Sequence, residues 1–197
     1  MKIKSINFVQ STDDWHKCPE SQLPEYAFIG RSNVGKSSLV NMIANKKSLA
    51  KTSSKPGKTQ TINHFLANDE CYLVDLPGYG YATISKTMRD NWITMIENYL
   101  INRPNLKLLF VLIDARLEPQ KNDIDFIDNL GKIGIPYAIV FTKSDKVSKQ
   151  KLADNVSAFL NKLLESWEEL PPHFITSANT ALGKTELLDY IESINNQ

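Results

Sequence analysis

The chain has 197 residues, of which 42% are hydrophobic and 23% are charged, and its formal net charge is +1. This size and composition predict one compact domain with a complete apolar core. No apolar run approaches membrane-spanning length, and the first residues lack the apolar centre of a secretory signal. The two cysteines and three histidines show no metal-ligand spacing, so we expect a reduced, cytoplasmic protein without structural zinc.

Strand patterns alternate with helix patterns along the chain. The predicted strands are Ile3–Val9, Glu25–Ile29, His64–Ala67, Cys71–Asp75, Leu106–Asp114, Pro136–Thr142 and Phe174–Ser177. The predicted helices are Lys36–Asn45, Lys86–Ile101, Gln120–Gly131, Ser148–Trp167 and Lys184–Ile194. Because the central strands are continuous apolar runs, this order is typical of an α/β fold whose mostly parallel sheet is covered by helices on both faces.

Positive charge is concentrated in one part of the sequence. No Asp or Glu occurs from Tyr26 to Asn68, and the polar segment Lys46–Ile62 is predicted to be a long, mobile, functional loop. The basic residues of this part are Arg31, Lys36, Lys46, Lys47, Lys51, Lys55 and Lys58. They predict a basic face that could attract RNA phosphates, although a loop whose lysines serve solubility would have the same composition.

Residues 30–37 read GRSNVGKS and fit the phosphate-loop pattern G-x-x-x-x-G-K-[ST]. A predicted strand precedes the motif and a predicted helix follows it, which is the context that the pattern needs. Gly35 lets the backbone approach the phosphates, Lys36 reaches the β- and γ-phosphates, and Ser37 offers a hydroxyl to Mg²⁺. The predicted phosphate-binding residues are Gly30, Arg31, Ser32, Asn33, Val34, Gly35, Lys36, Ser37 and Ser38.

The segment Asp75-Leu76-Pro77-Gly78 follows the next core strand. An acid at Asp75 can hold Mg²⁺ through a water, and the N–H of Gly78 can donate to a γ-phosphate. Alone this D-x-x-G pattern is weak, because an ordinary surface turn has the same composition. Its position one core strand after a phosphate loop favours the nucleotide-binding interpretation.

Two further polar segments follow the last two predicted strands, Thr142-Lys143-Ser144-Asp145 and Thr176-Ser177-Ala178. Asp145 can accept hydrogen bonds from guanine N1–H and the 2-amino group, whereas adenine would leave the carboxylate unpaired. The stem of Lys143 can lie over the base, and the N–H of Ala178 can reach guanine O6. Each segment in isolation could also be a polar loop at a strand end.

In order, GRSNVGKS, DLPG, TKSD and TSA resemble the motif set of translation-factor-type GTPases. The finer resemblance, over nearly the whole chain, is to the EngB family of the TrmE–Era–EngA–EngB–septin-like branch. It is carried by YAFIGRSN at 26–33, KPGKTQTIN at 55–63, VDLPGYGYA at 74–82 and IDAR at 113–116. The resemblance implies a Ras-like P-loop fold with one antiparallel edge strand and an extra N-terminal strand. It also implies one G domain over residues 1–197, with 1–24 as an N-terminal extension.

Several functional roles come from this resemblance and not from the residues alone. The loop hydroxyls of Thr52, Thr59 and Thr61 could each serve Mg²⁺, and the resemblance assigns that role to Thr59. The nucleotide-contacting residues that it adds in this loop are Gly57, Lys58, Thr59, Gln60 and Thr61. The catalytic residues that it implies are Lys36, Thr59 and Gly78, and the Mg²⁺ ligands are Ser37, Thr59 and, through water, Asp75.

Two residues bear on how GTP would be hydrolysed. Ras-type switches place a glutamine after the D-x-x-G glycine, and here Tyr79 stands there, so we expect slow intrinsic turnover; packing within the loop is the alternative role for Tyr79 and Tyr81. Asn33 is the fourth residue of the phosphate loop. Relatives in the same branch hold K⁺ with an asparagine at this position, and the alternative is that Asn33 braces the loop through local backbone bonds.

The implied ligands are GTP, GDP and Mg²⁺, and the implied biological role is bacterial large-subunit ribosome assembly, with links to cell division and septation. The expected partners are ribosomal RNA and proteins of the large subunit, with no membrane and no DNA. A septin-like scaffold that binds GTP without hydrolysing it is the alternative from another functional class. The TKSD segment argues against an ATP-using P-loop enzyme.

Overall fold

The computed structural model describes residues 1–50, 61–79 and 86–196, and of residues 86–92 the backbone alone. Within these ranges the chain forms seven strands and five α-helices. The strands are β1 (Ile6–Thr12), β2 (Glu25–Gly30), β3 (Ile62–Ala67), β4 (Cys71–Asp75), β5 (Leu106–Asp114), β6 (Tyr137–Thr142) and β7 (His173–Ile175). The helices are α1 (Lys36–Ile43), α2 (Lys86–Asn102), α3 (Lys121–Lys132), α4 (Lys149–Leu164) and α5 (Lys184–Asn195). No helix of the described part is both long and apolar enough to cross a bilayer.

All seven strands belong to one sheet with the order β1-β3-β4-β2-β5-β6-β7. Strand β3 runs antiparallel to both of its neighbours, and the pairs from β4 to β7 are parallel. The expected mostly parallel sheet with an extra N-terminal strand is therefore confirmed. The antiparallel strand that was expected at the edge is β3, and β1 covers it on the outer side. The carboxyl ends of the parallel strands lie at one edge of the sheet, where ligands of such folds bind.

Strand β2 illustrates how both faces of the sheet are filled. Tyr26 and Phe28 pack on the face covered by α1 and α5, whereas Ala27 and Ile29 pack on the face covered by α2, α3 and α4. The alternation follows from the two-residue period of a strand, and both faces are apolar because helices cover both. Burial of each large side chain contributes about 1.5–3 kcal/mol, which fixes the strand that leads into the phosphate loop.

Strand β1 lies three residues further along the chain than the predicted Ile3–Val9. A bulge between Phe8 and Gln10 interrupts its pairing with β3, so the alternation of buried and exposed residues is lost there. Phe8 and Val9 are exposed although they are apolar. The predicted N-terminal strand is thus present but its bounds were wrong, because pairing with β3, and not the weak alternation, decides where the strand lies.

Helix α3 passes through Gly131, where the sequence predicted its end, and finishes at Lys132. A Cβ atom added to Gly131 would lie 2.0 Å from the Trp167 ring, so this glycine permits close packing inside the helix. Gly134, with φ of 71°, supplies the left-handed residue that follows the helix. Of the two glycines near this end of the helix, the second, Gly134, has the capping role.

The other boundaries shift at their ends. The last strand was predicted at Phe174–Ser177, but β7 spans His173–Ile175. It is shorter because only three of its residues pair with β6. Helix α4 begins after Ser148, whose side chain accepts a hydrogen bond from the N–H of Lys151 as an N-cap, and it ends before the predicted Trp167. The remaining predicted elements differ only slightly from those observed.

Candidate nucleotide-binding site

The phosphate loop joins β2 to α1 at the carboxyl edge of the sheet. Gly35 has φ of 109° and is the N-cap residue of α1, so the first N–H groups of the helix follow directly after the loop. The first turn of α1 contains no acidic residue. A helix N-terminus of this kind binds anions through its free N–H groups and its dipole.

The D-x-x-G segment runs beside the phosphate loop. A Cβ atom added to Gly78 would lie 2.5 Å from the carbonyl oxygen of Gly30, so only glycine fits there without a backbone shift. The N–H of Tyr79 donates to the same carbonyl at 3.1 Å. The structure thus brings the predicted γ-phosphate donor next to the start of the phosphate loop.

Lys36 and Asp75, predicted to serve the phosphates and Mg²⁺, form an ion pair with each other. The Lys36 Nζ donates to Asp75 Oδ1, and the side chains are 9% and 4% exposed. The carboxylate of Asp75 and the hydroxyl of Ser37 are hard oxygen donors of the type that Mg²⁺ takes. The donor set of the described residues therefore fits this metal.

Two hydrogen bonds tie the segment after β6 to the phosphate loop. The Thr142 hydroxyl donates to the carbonyl of Val34 at 2.6 Å, and the Lys143 ammonium donates to the carbonyl of Asn33 at 2.5 Å. Lys143 itself has φ of 59°, a left-handed backbone conformation. The segments predicted to hold the phosphates and the base are thus held in a fixed relation.

Asp145 is oriented by groups that flank it. The Ser177 hydroxyl donates to Asp145 Oδ1 at 2.8 Å, and the Lys146 ammonium lies 3.3 Å from Oδ2. The hydrogen bond from Ser177 lowers the pKa of Asp145 and outweighs the smaller, opposing effect of burial. A carboxylate has further lone pairs on both oxygens, so Asp145 can still accept two hydrogen bonds from a base edge.

A cavity of about 670 Å³ opens at this edge of the sheet. Three of the four predicted segments line it, and D-x-x-G does not. The predicted residues in its lining are Gly35, Ser38, Thr142, Lys143, Asp145, Thr176 and Ala178. The N–H of Ala178 makes no hydrogen bond to any other described residue, which leaves it available to an acceptor. The volume lies in the range of small-molecule sites.

Asn33 and Arg31 occupy the rim of the phosphate loop. Asn33 is exposed, has φ of 62°, and its side chain makes no hydrogen bond to the described residues. Among the described residues, no contact of the Asn33 side chain supports the alternative that it braces the loop. The Arg31 guanidinium reaches Gln120 Oε1 at 3.3 Å, just before α3.

The sequence likeness of the chain to known proteins decides its family. Residues 25–143 match the family described as 50S ribosome-binding GTPase. The chain is 59% identical over 197 residues to the probable GTP-binding protein EngB of Porphyromonas gingivalis, covering 100% of this chain and 98% of that relative. The chain belongs to the EngB family. It is also 57% identical over 195 residues to a probable EngB of Phocaeicola vulgatus, covering 99% of this chain and 98% of that relative.

Solved structures confirm the fold. A crystal structure of a probable EngB superposes with a TM-score of 0.65 at 22% identity, covering 87% of this chain and 98% of that one. Era in complex with MgGDPNP and a segment of 16S ribosomal RNA superposes with a TM-score of 0.67 at 22% identity, covering 86% of this chain and 55% of that one. The chain therefore has the P-loop GTPase fold, and its membership of the EngB family makes it a GTP-binding GTPase of the EngB kind.

In this EngB-family chain the Tyr79 side chain packs under the loop. Its hydroxyl donates to Asp123 Oδ1 at 2.9 Å, and its ring stacks on Phe126 with centroids 4.3 Å apart. Burial raises the pKa of Asp123 to about 6, and the hydrogen bond from Tyr79 opposes that rise. The geometry therefore agrees with the packing role and not with a group aimed at the phosphates.

The roles predicted for Thr52, Gly57, Lys58, Thr59, Gln60 and Tyr81 fall outside the described residues and stay predictions. Thr61, predicted to contact the nucleotide, accepts a hydrogen bond from the Ser11 hydroxyl at 2.7 Å beside β1. Sequence reasoning gave no role to Asp114 or Asp123, although Asp114 closes an apolar strand just as Asp75 does. That shared position was the available signal for Asp114, whereas Asp123 had none.

Proposed function

We propose that this chain is a slowly hydrolysing GTP switch that acts in assembly of the large ribosomal subunit and is needed for normal cell division and septation. The observation that carries the nucleotide part is the position of Asp145, which Ser177 orients at 2.8 Å in the cavity that Gly35 also lines. This carboxylate can accept hydrogen bonds from the two donors of guanine, whereas adenine would leave the carboxylate unpaired. Membership of the EngB family supports the same ligand.

Slow turnover is supported by the surroundings of Tyr79. Hydrolysis needs an oriented water and neutralisation of charge around the γ-phosphate. The Tyr79 hydroxyl is occupied by Asp123, so no water-orienting side chain stands directly after Gly78. Lys36 and the Gly78 N–H are the described groups that would contact the γ-phosphate.

Mg²⁺, when bound, supplies positive charge between the β- and γ-phosphates. Ser37, Asp75 and, by family resemblance, Thr59 would hold it. When phosphates bind, Lys36 would exchange its partner Asp75 for phosphate oxygens. GTP and GDP would differ in how completely they satisfy Lys36 and Gly78, which is the physical basis of a switch.

The ribosomal part of the proposal has two supports. The matched family is described as 50S ribosome-binding, and Era, a structural neighbour, was crystallised with 16S ribosomal RNA. In this chain Lys46 and Lys47 follow the end of α1, are exposed and line the cavity. The Lys46 ammonium donates to the carbonyl of Ile6, so Lys47 is the better placed of the two to attract RNA phosphates. We propose a cytoplasmic location and neither membrane nor DNA as partner.

Co-sedimentation with purified ribosomal subunits tests the proposal. We expect the chain to pellet with large subunits in the presence of a non-hydrolysable GTP analogue, and less with GDP or with small subunits. The matched control is Asp145→Asn, which should lose the difference between nucleotides at the same GTP concentration. Equal pelleting with both nucleotides would contradict the switch, and absence of pelleting would contradict the ribosomal role.

GTP turnover, measured with and without large subunits, separates the switch from its alternative. We expect slow release of phosphate by the chain alone and faster release when subunits are added. GTP binding without measurable hydrolysis in either condition would instead support a septin-like scaffold. The replacement of the catalytic glutamine by Tyr79 is the observation that keeps this second candidate in view.

A further inference from the structure

Asp114, the last residue of β5, lies at the centre of a charged cluster beside the cavity. The Lys143 ammonium donates to its Oδ2 at 2.8 Å. The Arg116 guanidinium donates to Oδ1 at 2.9 Å and to Oδ2 at 2.8 Å, which is a bidentate contact. The Asp114 side chain is only 11% exposed, so these charges are partly shielded from water.

The register of the sheet produces this cluster. Asp114 of β5 pairs with Thr142, the last residue of β6. Lys143 follows Thr142 directly, so its backbone lies beside the Asp114 carboxylate. Burial acts to raise the pKa of Asp114, but the hydrogen bonds from Arg116 and Lys143 outweigh it and lower the pKa. Asp114 is therefore ionised at neutral pH and available as a permanent partner of the ammonium.

The Lys143 ammonium has a second acceptor, the carbonyl oxygen of Asn33 in the phosphate loop. With both acceptors in place, the far end of a flexible four-carbon stem is fixed. The stem passes close to Gly35, since a Cβ added there would lie 3.6 Å from Lys143 Cε. It thus spans the cavity wall from the base segment to the phosphate loop, where a base plane can pack on it.

We propose that Asp114 is a positioning residue for guanine-nucleotide binding, which acts through Lys143 and is braced by Arg116. The inference rests on the assignment of the cavity to the guanine nucleotide. Without the carboxylate, Lys143 keeps one acceptor and its stem samples more rotamers in the free protein. A nucleotide must then immobilise the stem on binding, which weakens affinity and speeds release.

The first experiment measures GDP affinity and the GDP release rate of Asp114→Ala, which removes both carboxylate oxygens and so leaves Lys143 with the Asn33 carbonyl as its described acceptor. We expect affinity to fall about tenfold, mostly through faster release. Arg116→Gln is a second variant at a half-exposed position, so it preserves folding, and it should lower affinity about threefold. The matched control is Asp125→Asn, an exposed carboxylate paired with Lys121 on α3, which should leave affinity unchanged.

The second experiment repeats both changes in a Lys143→Met background. If Asp114 and Arg116 act through Lys143, neither change should weaken GDP binding further in that background, whereas a general structural role would add its full loss. Wild-type affinity in the single variants, or an undiminished loss in the Lys143→Met background, would overturn the proposal. Asp145→Asn in the same assay tests the site itself: if that variant binds GDP normally, the cavity assignment fails, independently of Asp114.

Discussion

The base side and the phosphate side of this site are held in different ways. On the base side, the recognition groups are held by protein partners that a nucleotide need not replace: Ser177 orients Asp145, and Asp114 holds Lys143. On the phosphate side, two groups predicted to serve the ligand hold each other, as Lys36 pairs with Asp75. In the proposed site a base would therefore add its hydrogen bonds to an existing arrangement, whereas phosphates would exchange partners with Lys36 and Asp75.

This difference suggests a division of labour. An arrangement that is already in place loses little freedom on binding, so base recognition should contribute similarly to GDP and GTP. An exchange of partners at the buried Lys36 depends on which phosphates are present and so can distinguish the two nucleotides. The base side then sets which nucleotide binds, and the phosphate side sets which state results.

The largest expected effect comes from breaking the base side with Asp145→Asn. The amide cannot accept two hydrogen bonds from guanine, so we expect GDP and GTP affinity to fall by about a hundredfold or more, with a gain for xanthine nucleotides. Competition between GDP and XDP for a fluorescent nucleotide measures the shift. Ser177→Ala is the graded companion, which should weaken GDP less and keep the preference for guanine. Unchanged GTP affinity in Asp145→Asn would contradict the guanine assignment.

The same division explains how much the sequence could predict. The rule that ligand groups follow the carboxyl ends of parallel strands brought Gly35, Thr142, Asp145 and Ala178 to one cavity. These residues follow strands whose apolar runs are unambiguous, so short-range patterns were sufficient. Their assigned roles toward GTP stay predictions.

Contacts that depend on packing between distant elements were not predictable in this way. The partner of Tyr79 is Asp123, on a helix far along the chain, and no spacing rule connects the two. The bulge after Phe8 depends on pairing with β3, which local alternation cannot reveal. Asp114 was within reach of the strand-end rule, but its role emerges only from the register that places it beside Lys143.

The next largest effect is expected at Asp123, whose carboxylate accepts the hydrogen bond from the Tyr79 hydroxyl. Its pKa is raised by burial from 3.8 to about 6, so the folded chain binds more protons than the unfolded chain between these values. The free energy of unfolding should therefore fall as pH rises from about 4 to about 6, and this contribution should be level above that. Asp123→Asn keeps an acceptor for Tyr79, removes this slope and should stabilise the chain at pH 7.5 by about 1–2 kcal/mol.

Denaturant unfolding between about pH 4 and pH 8 measures this contribution. Tyr79→Phe is the converse change, because it leaves the buried carboxylate without its donor and should destabilise the chain by about 1 kcal/mol at neutral pH. Asp125→Asn, which alters an exposed carboxylate on the same helix, is the control and should keep the wild-type slope. Parallel stability curves for wild type and Asp123→Asn would show that Asp123 is not titrating in this range.

The smallest expected effect lies at Asn33, where the two sides of the site meet. The Asn33 carbonyl accepts a hydrogen bond from the Lys143 ammonium. The exposed side chain of Asn33 makes no hydrogen bond to the described residues. By resemblance to its branch of GTPases, that side chain would hold K⁺ beside the β- and γ-phosphates. The cation would supply charge that an arginine finger supplies elsewhere, which matters in a chain without the catalytic glutamine.

GTP hydrolysis should consequently be a few times faster in K⁺ than in Na⁺ at equal ionic strength, a difference of about 1 kcal/mol or less in the barrier. Asn33→Ala should remove this preference while GDP still binds, because the backbone carbonyl that Lys143 uses remains. Since Asn33 has φ of 62°, alanine also strains the loop, and Asn33→Gly separates the two effects by removing the side chain without that strain. Both variants should lose the preference for K⁺, and only alanine should lower stability. Equal hydrolysis rates in the two salts for the unmodified protein would contradict the proposed K⁺ site. A preference for K⁺ that survives in Asn33→Gly would show that other groups hold the cation.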